Sequence, residues 1–144
     1  QFPAACRARS PREDATMTWS PTAHQITPFL HVPDLQQAVA LFVDTLGFEL
    51  VHSESNYVYL EFGGAGLRVL EERGRRLQLD GKARMAVYVD VPDVDALYAW
   101  LQPRLAQLPI TDVEPPRDKT WRQREFSVRL PDRDWLTFGQ PVRP

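Results

Sequence analysis

A duplicated segment constrains this chain more than any other feature of its sequence. The run Val32-Pro33-Asp34-Leu35 recurs 59 positions later as Val91-Pro92-Asp93-Val94. Each copy follows a run of alternating apolar residues and precedes a helical pattern, so a whole supersecondary unit is duplicated. The chain is therefore predicted to contain two related halves, and the 59-residue offset identifies equivalent positions in them.

Composition limits what these halves can be. The 144 residues, 43% of them hydrophobic, suit one globular domain or two small halves that share a core. A net charge of −2 gives no electrostatic basis for binding nucleic acid or an anionic membrane. No apolar stretch approaches the roughly 18–20 residues that span a bilayer. The single cysteine, Cys6, excludes an intramolecular disulfide and fits a reducing compartment, so we expect a soluble, cytoplasmic protein.

The first half is predicted to fold as a strand, a helix and three further strands. Residues Ile26 to Val32 alternate like a strand, and Pro28 places this strand at a sheet edge or at its own start. Asp34 is a good N-cap for a helix that stops at Gly47. The three later strands are predicted at Phe48 to Ser53, Tyr57 to Phe62 and Leu67 to Glu71.

The second half repeats this order. A strand at Met85 to Val91 leads to a helix at Asp93 to Leu108, which Pro103 is expected to kink or end early. A Pro-rich loop is predicted at Glu114 to Trp121. The remaining strands are predicted near Asp112 and Val113, at Arg124 to Leu130 and at Trp135 to Phe138.

These patterns predict an α+β protein built from two tandem β-α-β-β-β modules. The first module is expected at residues 23–72 and the second at residues 83–140, joined by a polar linker at 73–82 and followed by a tail at 141–144. Residues 1–22 are interpreted as a flexible leader, with Met17 as a possible natural start. The alternative is an ordered arm that packs on a neighbour.

Strand alternation separates a core face from a second, unusual face. Aliphatic residues such as Val58, Leu60 and Val69 are expected to pack under the helices. The opposite positions are polar or aromatic, and a face fully exposed to water does not usually hold so many aromatic side chains. We therefore expect a curved mixed sheet around a partly apolar pocket. Its predicted ligand-binding residues are Phe29, His31, Tyr57, Tyr59, Glu61, Arg68, Tyr88, Trp121, Glu125, Trp135 and Thr137.

Three segments carry a resemblance to a known family. They are the run from Val32 to Phe42 leading to Leu46-Gly47-Phe48, the second Val-Pro-Asp-Val-Asp-Ala at 91–96, and residues 124–132 followed by Trp135-Leu136-Thr137-Phe138-Gly139. Together they resemble the vicinal oxygen chelate superfamily, which includes glyoxalase I, extradiol dioxygenases and bleomycin-resistance proteins. The resemblance covers about Ile26 to Pro141. It implies two β-α-β-β-β modules around a pocket, usually within a homodimer.

The resemblance also implies where a metal would bind. Metal enzymes of the family carry one ligand on the first and the fourth strand of each module, typically His or Gln, Glu, His and Glu. The matching positions here are Thr27, Arg68, Ala86 and Thr137. Ala has no donor atom, Arg is a fixed cation and Thr is a poor neutral ligand. The family's metal chemistry is therefore predicted to be absent, and we expect no cofactor.

Two residues keep alternatives open. His31 could join a shifted metal site with Glu61 or Asp90, serve as a hydrogen-bonding residue of the pocket, or be a partly exposed polar residue. Arg68 is expected either to bind a carboxylate or phosphate of a small molecule, or to form an ion pair with Glu61, Glu125 or Asp90. His24 and His52 lie outside the predicted pocket pattern and receive no role.

The function favoured by the sequence is non-catalytic binding of a small aromatic or amphipathic molecule. The metal-free branch that this chain resembles includes bleomycin-resistance proteins, which sequester a drug in a groove at the dimer interface. One alternative is a lyase, isomerase or dioxygenase with a non-standard metal site and Glu61 or Glu125 as general base. Another is a structural or regulatory dimer with a vestigial pocket.

Overall fold

A computed structural model describes residues 21–72, 80–83 and 85–143. The predictions made for residues 1–20, including those on Cys6 and Met17, and for residues 73–79 of the linker lie outside the described residues. Among the described residues, no helix is both long and apolar enough to cross a membrane.

The first module has the predicted order of elements. Its elements are β1 Phe29–Val32, α1 Leu35–Val39, β2 Glu49–Ser53, β3 Tyr57–Phe62 and β4 Ala65–Glu71. Strand β1 pairs in parallel with β4, and the rest of the sheet is antiparallel in the order β1-β4-β3-β2. Helix α1 continues without a break into a π-helical segment, Ala40–Thr45.

The second module consists of β5 Ala86–Asp90, α2 Val94–Leu105, β6 Val113–Asp118, β7 Gln123–Arg129 and β8 Trp135–Pro141. It repeats the topology of the first, with a sheet in the order β5-β8-β7-β6 and β5 parallel to β8. Short 3-10 turns precede β6 and β8, at Ile110–Asp112 and Pro131–Arg133. The prediction of an α+β fold with two β-α-β-β-β modules is confirmed, and each module builds its own four-stranded mixed sheet.

One local prediction about prolines was wrong. The Pro-rich segment at Glu114 is the edge strand β6, and its ladder with β7 shifts register between Glu114 and Arg117, where the two prolines lie. An edge strand at a bulge tolerates prolines because their missing N–H groups are not needed by a neighbouring strand. Helix α2 does end early, at Leu105 and not at Leu108, with Pro103 in its last turn.

Both helices begin with the same two hydrogen bonds. Asp34 Oδ1 accepts the N–H of Gln37 at 2.9 Å, and Asp93 Oδ1 accepts the N–H of Ala96 at 2.9 Å. Side chains from the end of the fourth strand supply the second bond. Glu71 accepts the N–H of Leu35 at 2.8 Å, and Gln140 accepts the N–H of Val94 at 2.5 Å. These acceptors satisfy N–H groups that a helix start otherwise leaves free.

The first helix ends at Gly47, as its sequence predicts. Gly47 has a φ of +78°, in the left-handed region that favours glycine. Trp100 of α2 packs directly over it, and a Cβ on Gly47 would lie 2.6 Å from the Trp100 ring. This glycine therefore stops α1 and also lets the second module pack closely against the first.

The two modules share one hydrophobic core. The predicted aliphatic faces of both sheets form a single cluster with residues of both helices, and Val87 and Val89 of β5 pack against it while only partly buried. Aromatic rings connect the halves, since Phe62 lies 5.4 Å from Phe138 between ring centroids and Phe138 stacks on Phe126 at 4.9 Å. The opposite face of each sheet is left free to form a site.

Candidate ligand-binding site

The face of the first sheet that points away from the core assembles aromatic and polar residues in rows. Strand pairing sets the rows, because residues opposite one another in the ladder lie side by side on one face. One row contains Tyr59, Arg68 and Phe29, and the next contains Tyr57, Leu70 and His31. Five of the predicted ligand-binding residues therefore lie in two adjacent rows.

Arg68 is the centre of this group. Its Nη1 donates a hydrogen bond to the Tyr57 hydroxyl at 2.5 Å, and its guanidinium carbon lies 5.2 Å from the centroid of the Tyr59 ring. The Tyr57 ring in turn lies 6.0 Å from Phe29. We call Phe29, Tyr57, Tyr59 and Arg68 the first-sheet cluster.

The ion pairs considered for Arg68 are not formed. Within the part of the chain that the structure describes, no carboxylate lies within 4.0 Å of the Arg68 guanidinium. Arg68 is thus a half-buried cation held by two tyrosines and left without an anionic partner there. It is free to bind an anionic group of a ligand.

His52 lies closer to this cluster than its sequence position indicates. A register shift in the β2–β3 ladder places His52 opposite Tyr59, and its ring lies 6.3 Å from that of Tyr57. The pattern of β2 could not show this, because every residue of this edge strand is exposed and no face is marked by burial.

The second sheet presents a different set of residues in equivalent rows. Tyr88, Thr137 and Ser127 form one row, Asp90, Gly139 and Glu125 the next, and Ala86, Trp135 and Arg129 a third. Ser127 and Thr137 share a hydrogen bond of 2.8 Å between their hydroxyl oxygens. Arg129 lies over Trp135, with 3.9 Å between its guanidinium carbon and the ring centroid.

Glu125 holds the aromatic residues of this face. The residue is 6% exposed, and its Oε1 accepts the Tyr88 hydroxyl at 3.0 Å and the Trp121 indole N–H at 2.7 Å. Trp121 reaches back to Glu125 because the β6–β7 hairpin turns through Arg122, which has a φ of +64°. We call Tyr88, Trp121 and Glu125 the second-sheet cluster.

The surroundings of Tyr88 change its acidity. Burial of its hydroxyl end raises the pKa of Tyr88 to about 12, and the hydrogen bond to Glu125 and the negative charges of Glu125 and Asp90 add to this effect. Each of these influences disfavours a tyrosinate. Tyr88 therefore serves as a hydrogen-bond donor to Glu125 throughout the neutral range.

Two glycines within strands, Gly139 and Gly66, make these contacts possible. Tyr88 crosses the strand β8 directly above Gly139, where a Cβ would lie 1.7 Å from its hydroxyl oxygen. Tyr59 crosses β4 above Gly66 in the same way, and a Cβ there would lie 2.3 Å away. The available signal was a glycine within a strand, which often marks the close approach of another group.

The residues at the family's metal positions do not fit a divalent metal. Arg68 is engaged with two tyrosines, and the Thr137 hydroxyl is bonded to Ser127. Neither Thr27 nor Ala86 adds a strong donor. The donor set therefore lacks the imidazole and carboxylate groups that such an ion prefers.

The shifted metal site is not assembled either. His31 Nδ1 lies 3.4 Å from Glu72 Oε1, whereas Glu61 lies opposite Gly66, four residues along the ladder from the row of His31. Four residues along a strand correspond to about 13 Å. In residues 21–72, 80–83 and 85–143, no three His, Cys, Asp or Glu side chains group closely enough to hold a metal ion.

A cavity of about 360 Å³ lies at the seam between the two modules. Its wall includes Tyr88 and also Gln25, whose amide donates a hydrogen bond to the Tyr59 hydroxyl at 2.8 Å. The cavity therefore touches the margin of both clusters. Among the described side chains, however, no hydrogen bond, ion pair or ring contact joins the first-sheet cluster to the second-sheet cluster.

Comparison with known proteins relates this fold to a large family. A family model described as the glyoxalase/bleomycin resistance protein/dioxygenase superfamily matches residues 22–138. The bleomycin resistance protein of Geobacillus stearothermophilus is 25% identical over 132 residues, which cover 83% of this chain and 98% of that protein. A bleomycin resistance protein of Staphylococcus aureus matches to the same extent.

Solved structures share the architecture at lower identity. The bleomycin-binding protein of bleomycin-producing Streptomyces verticillus, complexed with copper(II)-bleomycin, has a TM-score of 0.68 and 20% identity, covering 87% of this chain and 100% of that chain. A bleomycin resistance determinant encoded on the transposon Tn5 has a TM-score of 0.64 and 19% identity, covering 83% and 98%. At these identities the likeness shows a common fold.

Proposed function

Because this chain belongs to the glyoxalase/bleomycin resistance protein/dioxygenase superfamily, we propose that it binds a small aromatic or amphipathic molecule without catalysing its conversion. The observation that carries this proposal is the pair of aromatic clusters on the sheet faces opposite the core. Phe29, Tyr88 and Trp121 remain exposed although the chain has a well-filled core for apolar residues. Exposed aromatic residues grouped in this way are typical of binding surfaces.

The proposed binding is independent of metal ions. Support comes from the residues at the family's ligand positions, which offer one cation, one methyl group and two hydroxyl groups. A bound ligand would instead be oriented by Arg68 in the first-sheet cluster, which can bind a carboxylate or phosphate. Hydroxyl groups of Tyr57, Ser127 and Thr137 add neutral hydrogen-bonding capacity.

An antibiotic is the ligand class that we favour. The relatives from Geobacillus and Staphylococcus are named bleomycin resistance proteins, and the Streptomyces protein was solved in complex with copper(II)-bleomycin. Sequestration of such a molecule requires binding and no chemistry, which agrees with the residues on these faces. A cytoplasmic location is part of this proposal and rests on the single cysteine.

The proposal includes a homodimer. The two clusters belong to different sheets. Among the described residues, the contacts of neither cluster reach the other one. A second copy of the chain could place the first-sheet cluster of one protomer against the second-sheet cluster of its partner. A groove closed in this way would cover aromatic rings that a single chain leaves exposed.

Ligand binding is tested by titrating the tryptophan fluorescence of the purified protein with bleomycin and with a panel of aromatic acids. We expect saturable quenching by at least one compound, because Trp121 is exposed within the second-sheet cluster. Trp121→Phe should remove most of the change, whereas Trp100→Phe, on helix α2 over Gly47, should keep it. Absence of any response across the panel would favour a vestigial pocket.

Metal independence and the dimer need separate measurements. Elemental analysis should find no stoichiometric divalent metal, and chelator treatment should leave ligand affinity unchanged. A stoichiometric metal that disappears in His31→Ala would contradict the proposal and support an enzyme with a shifted site. Sedimentation velocity should give a mass of about twice that of the 16.5 kDa chain, and a monomer at all concentrations would contradict the dimer.

A further inference from the structure

Another cavity, of about 480 Å³, lies between the end of helix α2 and the start of the edge strand β6. Tyr98 and Leu105 line it from α2, and Val113 lines it from β6. The connection between these two elements contributes Leu108 and Ile110. None of the described residues around it lines the cavity at the seam or belongs to either cluster. We call it the helix-end cavity.

The first module joins its helix to the next strand in a different way. Its connection has three residues, Leu46–Phe48, between the helical segment and β2. Phe48 is 5% exposed, and its ring lies 5.1 Å from Phe42 and 4.9 Å from Phe62 between centroids. The connection of the second module has seven residues, 106–112, and none of them is aromatic. No ring from this longer connection can therefore fill the end of the second helix, where the cavity lies.

Helix α2 lines this cavity with hydrogen-bonding residues where the first helix has aliphatic ones. By the 59-residue offset, Tyr98 corresponds to Val39, and Gln102 corresponds to Val43. Tyr98 and Gln102 lie four residues apart, so they share one face of the helix. The Tyr98 ring is held by an edge contact with Phe126 at 5.2 Å. Among the described residues, neither the Tyr98 hydroxyl nor the side-chain amide of Gln102 has a hydrogen-bond partner.

The lining of the helix-end cavity favours an uncharged ligand. Charged residues make up 25% of the chain, yet none of the described residues that line this cavity carries a charge. A charged group would lose hydration there without gaining an ion-pair partner, which is unfavourable. The volume of about 480 Å³ falls within the roughly 300–1,000 Å³ typical of small-molecule sites, which combine mostly apolar walls with a few polar groups. Ile110, at 92% exposed, is an apolar side chain that a bound molecule would cover.

We propose that the helix-end cavity binds an uncharged amphiphile, a molecule with a short apolar body and one hydroxyl or amide group. The apolar body contacts Leu105, Leu108 and Val113. The polar group exchanges hydrogen bonds with the Tyr98 hydroxyl or the Gln102 amide, since each of these can donate and accept. This site goes beyond the proposed function and does not depend on it.

Nuclear magnetic resonance can locate the binding, because Ile26 and Ile110 are the chain's only isoleucines and line different cavities. The full chain, labelled at its isoleucine methyl groups, is titrated with 1-octanol. We expect a saturable shift of the Ile110 signal and no shift of the Ile26 signal. A shift of Ile26 in place of Ile110, or no saturable shift of either signal, overturns the proposal.

The ligand class is tested with octanol, octanoate and octylammonium, which share an eight-carbon body and differ in charge. Calorimetric titration should give octanol an affinity on the order of 10-fold or more above that of either ion. From 1-hexanol to 1-octanol, each added methylene should raise the affinity roughly fourfold as more apolar surface is buried. Octanoate or octylammonium binding as tightly as octanol at the Ile110 signal overturns the selection of an uncharged ligand.

A pair of alanine variants tests the cavity itself. Ala106→Phe adds a ring to a residue that lines the cavity and should lower octanol affinity by on the order of 10-fold or more. Ala99→Phe adds the same ring at an exposed position of α2 outside the lining and should leave the affinity unchanged. Binding by Ala106→Phe as tight as by the wild type overturns the site. The wild-type titrations require no variant, so they remain decisive if Ala106→Phe does not fold.

Two further measurements separate this site from other occupants. If the Ile110 signal moves with protein concentration alone and octanol adds no change, a second copy covers the cavity and the proposal fails. Bleomycin and the aromatic acids that test the proposed function should leave the Ile110 signal unchanged. Failure of octanol binding therefore leaves the proposed function intact, and failure of that panel leaves the octanol site intact.

Discussion

The two modules make nearly the same hydrogen bonds at their helix starts and carry different residues on their open sheet faces. Asp34 and Glu71 hold the start of α1, and Asp93 and Gln140 hold the start of α2 in the same geometry. These side chains satisfy backbone N–H groups, which every helix start presents regardless of the ligand. The arrangement of these capping contacts is therefore retained in both modules.

The open faces differ in charge. Through the 59-residue offset and the ladder register, Phe29 corresponds to Tyr88, and Arg68 to Thr137. By the same register, Tyr57 corresponds to Glu125. The first sheet thus carries a cation where the second carries a hydroxyl, and the second carries a carboxylate where the first carries a tyrosine; neither charge has an ion-pair partner among the described residues. Positions that face away from the core can change in this way because no packing depends on them.

The largest expected effect tests whether the two modules share one hydrophobic core. Phe138 and its counterpart Val69 are both fully buried, but only Phe138 stacks on Phe126 and contacts Phe62. Phe138→Ala should reduce the free energy of unfolding by about 3–5 kcal/mol. Val69→Ala should reduce it by about 1.5–3 kcal/mol. Urea unfolding should show one transition, and two separate transitions would disprove a shared core.

The next effect concerns the charge of the first-sheet cluster. Arg68→Gln should weaken the binding of an anionic aromatic ligand by about 1–3 kcal/mol, because a charged hydrogen bond is lost. A neutral analogue should be affected much less. Arg104→Gln is the matched control, since Arg104 also lies over an aromatic ring, at 4.4 Å from Trp100, but on α2. Equal binding of the anion by wild type and Arg68→Gln would assign Arg68 a structural role.

A smaller effect tests whether the helix caps of the two modules are equivalent. Asp34→Ala and Asp93→Ala should each reduce the free energy of unfolding by about 1 kcal/mol, the typical loss of an N-cap. Equal losses are expected because both carboxylates accept their bonds at 2.9 Å. Thermal unfolding measures both, with Asp44→Ala as an exposed control. A loss confined to one variant would show that the modules have diverged on the core side too.

The smallest effect is a titration that singles out the second module. Because the pKa of Tyr88 in the folded protein, about 12, lies above the ordinary value of 10.0, protonated Tyr88 contributes its stabilisation fully below pH 10. This contribution is lost as the pH rises from 10 toward 12. Ultraviolet titration should show a late tyrosinate component that is missing in Tyr88→Phe and shifted downward in Glu125→Gln. If the difference between the wild type and Tyr88→Phe shows that Tyr88 ionises at its ordinary value near pH 10.0, the Glu125 contact is ruled out.

Several parts of this structure follow from local patterns. Alternation in Tyr57 to Phe62 assigns the two faces of β3, and the Asp after each Val-Pro marks a helix start. The strand expected near Asp112 and Val113 is present, but its continuation to Asp118 escaped prediction because its bulge and edge position accommodate two prolines. The position of His52 escaped as well, since a register shift moves it and no local pattern shows such a shift.

The sequence by itself determined the two-module architecture and the residues of each open face. It could do so because helix caps, helix-ending glycines and strand alternation act over a few neighbouring residues. The tertiary structure alone decided which of those face residues meet. Tyr88 reaches Glu125 because β8 lies between β5 and β7 and carries a glycine at the crossing point. Such contacts depend on the pairing of strands far apart in the chain. The duplicated segment predicts the strands themselves, whereas their register and crossing points arise only in the folded sheet.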